Sequence, residues 1–380
     1  MNADRLNALL HLLRDDFQRT NLPQRMEQLS AALQALTQNQ NPNQRANNEQ
    51  ALGNALKEAL KAAEDSEIDD LSPAWKEMLK EIGYADSLGE AVSVRLNESF
   101  KQADITPSIV KEEVDELKNE ITRLNDAVSK GIEAFEVLSI GAEELDVGDC
   151  ELGFMIPREA IEYRLDEFAD ECKEFDFIFG TFSEVVTGHR DHYRISTISS
   201  SDLSVFLDSI PAVAALVATA AERIVALYKQ ILEVRKLRSE MLKQGVNKEE
   251  FAAIDESQNS KMGSNIEKLA QEIIEKYKDK HDSGRANELE NSVRISLHKL
   301  ANRIDRGYHI EVRIGELPEP EDEDDKTDED LQSVAEEIHR AAKKLQFIRL
   351  KGEPILSLPE ESPKKSVAKK TSTKKDNKSG

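Results

Sequence analysis

The residues with the best types and spacing for chemistry lie in one short run, Gly188-His189-Arg190-Asp191-His192-Tyr193-Arg194. An imidazole beside a carboxylate can pass a proton or hold a metal, and a guanidinium can hold a phosphate. His189, Asp191 and His192 are therefore the candidate catalytic residues. Asp166, Glu167, Asp170 and Glu171 are carboxylates that a neighbouring helix could add. The spacing weighs against a site. On a hairpin between two strands these side chains point in different directions, and no fixed metal-ligand spacing is present. A polar turn is the plainer reading.

Other chemistry is not signalled. The chain has no GxxxxGK[ST] or GxGxxG loop and no HExxH, CxxC or GxSxG motif, so no cofactor or metal is expected. Its two cysteines, Cys150 and Cys172, cannot build a disulfide framework, which favours a reducing, cytoplasmic compartment. Cys172 shares a helical face with Ile161, Leu165 and Phe168, as an inert buried thiol would. Residues 316–330 hold ten carboxylates and one lysine but lack the order of a calcium loop, so they read as a solvated spacer.

Composition narrows the class further. Of 380 residues, 39% are hydrophobic, 5% aromatic and 33% charged. An average globule carries about 25% charge, and the excess points to long exposed helices. A net charge of −23 opposes non-specific binding of the body to nucleic acid or anionic lipid. Asp4, Arg5, Arg14, Asp15 and Asp16 interrupt the N-terminal apolar stripe, which excludes a signal peptide there. The most apolar run, residues 210–221, is shorter than the roughly 20 residues a membrane-spanning helix needs.

The elements that would position any site are mostly helical. Residues 1–36 read as N-terminal helices, 37–50 as an Asn/Gln-rich linker and 51–105 as short helices. Trp75, the only tryptophan, shares a face with Met78, Leu79 and Ile82, as a core anchor would. In residues 106–138, Val110, Val114, Leu117, Ile121, Leu124 and Val128 recur at four and three, the seam of a first stalk helix. Residues 202–306 contain a return helix and further bundle helices. Its seam is Val217, Ile224, Leu227, Ile231 and Val234, interrupted at Arg238 before Met241. The Ala/Val-rich start of that helix demands burial on several sides.

Between the stalks, residues 139–201 change period and read as a small α+β island. Segments 151–157, 175–182 and 192–198 look strand-like and 158–175 looks helical, as in a ferredoxin-like type of insert. Residues 307–360 read as a second small α+β module. It contains a strand at 308–314, the acidic loop 316–330, a helix from about 331 to 345 and a hairpin at 347–358. Residues 361–380 read as a disordered tail. Lys364, Lys378 and the five lysines between them offer weak contact to nucleic acid phosphates.

The fold class expected is mainly α with small α+β modules: a helical bundle or coiled-coil hairpin carrying the insert. The function expected is an oligomeric scaffold or interaction protein of a soluble assembly, with Val110, Val114, Leu117, Ile121 and Leu124 and Val217, Ile224, Leu227, Ile231 and Val234 as its interaction residues. Its partners would be itself or another protein, and no membrane. Two rivals are an enzyme or ligand-binding head at 139–201, and a nucleic-acid accessory factor tethered by its tail.

Overall fold

The computed structural model describes residues 2–38, 42–101, 107–199, 203–315, 317, 326–345, 350 and 352–361. Among these, eleven α-helices surround one four-stranded antiparallel sheet, so the protein is mainly α with a small α+β part. Its apolar side chains gather into two cores.

The first core is all helical. Helices α1 (Ala3–Thr20), α2 (Leu22–Gln38), α3 (Pro42–Glu64), α4 (Pro73–Glu81), α5 (Glu90–Lys101) and α6 (Pro107–Val137) supply it. Leu9, Leu13 and Phe17 of α1 and Met26, Leu29 and Leu33 of α2 are buried at helical spacing. They meet the α6 seam, in which Val110, Val114, Leu117, Ile121, Leu124 and Val128 are each under 5% exposed. Residues 42–50, expected to be linker, form the start of α3. Ala59, Ala62 and Ala63 pack this helix into the core, and packing of one face carries a polar first half along.

The second core lies on one face of the sheet. Strands β1 (Cys150–Ile156), β2 (Ile195–Ser199), β3 (Leu203–Ser209) and β4 (His309–Ile314) stand in the order β2-β3-β1-β4. Neighbouring strands are all antiparallel, so β1 and β2 run parallel with β3 between them. Helix α7 (Leu165–Thr187) joins β1 to β2, which makes this a split βαβ arrangement of the ferredoxin-like type. The connection from β3 to β4 is α8 (Pro211–Lys243), α9 (Ala252–Lys276) and α10 (Ser283–Asp305), and α11 (Lys326–Lys344) lies against α8 and β4.

Several expectations are corrected here. Residues 175–182 are the middle of α7, not a strand. Phe175, Ile178, Phe179, Phe182, Val185 and Val186 recur at three and four, and that burial wins over a loose alternation. The island does not end at 201, because β3 follows it and Pro211 opens the return helix nine residues beyond residue 202. The strand at 309–314 pairs with β1 and completes the same sheet, so it does not found a second module. Helix α11 begins at Lys326, inside the acidic stretch. No strand occurs at 352–358, where a hairpin arm was expected. Residues 316, 318–325, 346–349, 351 and 362–380 lie outside the described residues, and with them much of the acidic loop, one hairpin arm and the Lys-rich tail.

The two seam helices do not form a hairpin. Helix α6 packs with α1, α2 and α5 in the first core, and α8 with α7, α9, α10 and α11 in the second. Helix α8 is the one described helix long and apolar enough to cross a membrane. Val213, Ala214, Val217, Ala218, Ala221 and Ile224 bury it inside the second core.

The sheet's other face joins the two cores through charge. Leu152, Phe154, Val205, Ile310 and Val312 face the helices of the second core, which leaves Glu151, Gly153, Phe206, Glu311 and Arg313 on the opposite side. Gly153 is obligatory, because a Cβ there would meet the Phe206 ring at 2.6 Å. On that ring lies the Arg5 guanidinium of α1, 3.3 Å from its centroid. Arg5 donates to Glu143 and Glu151 at 2.8 Å each, and Arg313 donates to Glu143 at 3.0 Å and to Glu151 at 3.1 Å. Arg313 also lies over Trp75, and Glu311 accepts from the Ala74 backbone N–H at 3.2 Å. Burial raises the Glu311 carboxyl above its usual range, opposed by Arg313 and Arg5.

Candidate functional site

The His189 run is the loop from α7 to β2. His189 Nε2 lies 2.9 Å from Asp191 Oδ1, and the Ser183 hydroxyl donates to Asp191 Oδ2 at 2.6 Å. A proton relay to a serine needs the imidazole between hydroxyl and carboxylate. Here the carboxylate stands between the other two, so His189 has no path to the Ser183 proton. His189 and His192 are exposed and Asp191 partly so, while Arg190 donates to the Phe177 carbonyl at 2.8 Å. The arrangement closes the C-terminal end of α7.

The supporting carboxylates are elsewhere. Glu171 is sixteen residues before Thr187, about 24 Å along the helix axis. Asp166 pairs with Arg164, Asp170 with Lys173 and Glu171 with Arg303. No cluster of His, Cys, Asp and Glu suited to a metal ion occurs among the described residues. Burial pushes the Cys172 thiol up and takes Cys150 to about 12, which leaves both poor nucleophiles. The α8 seam is also internal: Val217, Ile224 and Ile231 are buried, and Leu227 and Val234 partly buried.

The most developed polar site is one the sequence did not signal as a site. Residues 352–361 form an extended strap laid across α8, α9 and α10. It begins at Gly352, whose φ of +90° suits glycine and whose Cβ would meet Ser239 of α8 at 2.8 Å. Ile355, Leu356 and Leu358 are each under 8% exposed and join the second core.

The groove holds the strap chiefly by its main chain. Asp305 Oδ2 accepts the Ile355 and Leu356 N–H groups at 2.6 Å each. Asn259 accepts from the Ser357 N–H at 2.6 Å and donates to the Ile355 carbonyl at 3.1 Å. Asn302 accepts from the Leu358 N–H and donates to its carbonyl, both at 3.0 Å. Arg235 donates to the Gly352 carbonyl at 2.5 Å and His298 Nδ1 to that of Pro359 at 2.8 Å. Each asparagine thus supplies a donor and an acceptor, as a neighbouring strand would.

A buried layer fixes these groups. Asp305 is fully buried, and its Oδ1 accepts from Tyr228 at 2.5 Å and Arg235 at 2.8 Å. Arg303 pairs with Glu171 at 2.7 Å and with Glu360 of the strap at 3.5 Å. Burial lowers the His298 imidazole below its ordinary value, which favours the neutral ring that donates through Nδ1. Burial also raises the Tyr228 hydroxyl, so it remains a donor to Asp305. These groups bind and orient a backbone; none is poised as a nucleophile with its base.

The signal for this groove was present but faint. His298, Asn302 and Asp305 recur at four and three on α10, the spacing of a buried face. Arg238 interrupts the α8 seam, and it and Arg235 are both buried where an apolar face would continue. Polar residues at apolar spacing announce that something polar is buried against them, but not which segment.

No family model matches the chain, and no curated protein or solved structure matches it at a significant level.

Proposed function

We propose that the protein is an interaction protein that recognises an extended peptide segment in the α8–α9–α10 groove and does no chemistry on it. The observation that carries this reading is the matched pairing of Asn259, Asn302 and Asp305 with successive main-chain groups of the strap. Three apolar side chains fill the core beneath, so affinity comes from backbone and burial together. A helical scaffold is the reading that two packed helical cores and a peptide-holding groove support.

The test uses the full chain with its own strap disabled by Ile355→Asp and Leu356→Asp. A fluorescent peptide of residues 352–361 should bind with a dissociation constant between about 1 μM and 1 mM, because it must be ordered on binding. A peptide carrying the same two aspartates should not bind. Equal binding of both peptides, or of neither to a chain of unchanged circular dichroism, sinks the reading.

A further inference from the structure

We propose that the groove is also filled in trans, by residues 352–361 of a second copy, so that the protein assembles by exchanging its straps. The proposal rests on the peptide-groove reading above and names the partner. Three features of the site point to a second copy.

First, every side chain that holds the strap main chain comes from α8, α9 or α10: Arg235, Arg238, Asn259, His298, Asn302 and Asp305. None comes from α11, the helix that delivers the strap. The groove's chemistry is therefore indifferent to which chain the strap belongs to. Second, a second copy carries the identical segment, including Ile355, Leu356 and Leu358 for the core and Glu360 for Arg303. Each contact can be remade without repacking, and that equivalence is the condition for exchange of an element between protomers. Third, the strap pairs with no strand of the sheet and adds no residue to the first core, and seven chain steps separate it from Leu345 at the end of α11. It can leave without breaking the sheet or the first core.

Within one chain the tether gives the strap an effective concentration of order millimolar, so the closed monomer prevails in dilute solution. Seven steps reach at most about 25 Å. Deleting four of them cuts that reach to at most about 11 Å, which penalises closure within one chain and leaves the strap itself, residues 352–361, intact for exchange.

The deciding experiment deletes residues 346–349 from the full chain and measures mass by light scattering. The expected result is a twofold mass that falls back when Ile355→Asp and Leu356→Asp are added. A monomer of native circular dichroism, or a dimer indifferent to those two substitutions, overturns the exchange. Should the shortened chain fail to fold, a mixture of two full-length variants decides. One has a disabled strap, Ile355→Asp with Leu356→Asp. The other has a disabled groove, Asn259→Ala with Asn302→Ala. Together they retain one good strap and one good groove. A one-to-one heterodimer, absent from either variant alone, is expected. No heterodimer, at a concentration where the free peptide saturates the disabled-strap chain, refutes exchange and leaves the peptide-groove reading standing. Failure of the free peptide to bind refutes both.

Discussion

Replacing Arg5 with methionine tests whether charge holds the helical core to the sheet. Arg5 is 4% exposed, lies 3.3 Å above the Phe206 ring and donates to Glu143 and Glu151 at 2.8 Å each. Methionine keeps an unbranched stem over the ring but removes the charge. Three carboxylates, Glu143, Glu151 and Glu311, would then share Arg313 alone. Removing one partner of a buried pair costs about 3–5 kcal/mol. Because Arg313 still reaches Glu143 and Glu151, the lower figure of about 3 kcal/mol applies. Trp75 is the only tryptophan, and Arg313 lies 5.7 Å from its ring centroid, so its fluorescence reports on this junction. Urea unfolding followed by Trp75 emission should shift to a lower midpoint. The Arg5→Met and Glu151→Gln pair should couple by more than about 1 kcal/mol in a double-mutant cycle. A loss below about 1 kcal/mol, the size of a surface ion pair, with additive single effects would show that the junction is not held as argued.

Other outcomes follow from the same contacts. Burial takes the His309 imidazole to about 4 from an ordinary 6.5, so the unfolded chain binds more protons between those values. Stability should therefore fall by at most about 3 kcal/mol as pH drops from 6.5 to 4, and His309→Gln should flatten that slope in urea titrations. Ile121→Ala, in the fully buried α6 seam, should cost about 2–5 kcal/mol and leave the mass in light scattering unchanged. An oligomer that falls apart on this substitution would mean the seam serves a partner after all. Gly153→Val drives a side chain into the Phe206 ring and should cost about 1–3 kcal/mol or more, with a change in Trp75 emission. Native emission and stability would contradict the close approach. Asp305→Asn leaves Arg235 without its buried carboxylate and should cost about 3–5 kcal/mol, with faster hydrogen exchange at Ile355 and Leu356. Exchange rates unchanged at those two amides would rule out Asp305 as the strap's anchor.

The sequence by itself determined where most helices lie, because burial of one face leaves a three-and-four recurrence. The α6 and α8 seams are legible for that reason, and so is the strand at 309–314, whose apolar residues alternate with charge. It also marked the His189 run as a polar turn, since glycine and charge cluster there, but set that turn between two strands, whereas helix α7 precedes it. Periodicity says that a face is covered and is silent on what covers it. Only the tertiary structure decided that α6 and α8 belong to different cores, and that β4 returns from more than a hundred residues downstream to pair with β1. The helix at 175–182 was hidden because Phe175, Phe177, Phe179 and Phe182 satisfy two periods at once, and packing on the sheet selects one. The groove was decided last of all. The strap reads as a hairpin arm in the sequence, because an extended segment looks the same whether a strand or side chains hold it, and its partners are scattered from Arg235 to Asp305. Its recognition depends on main-chain atoms, which every residue carries and no sequence pattern reveals.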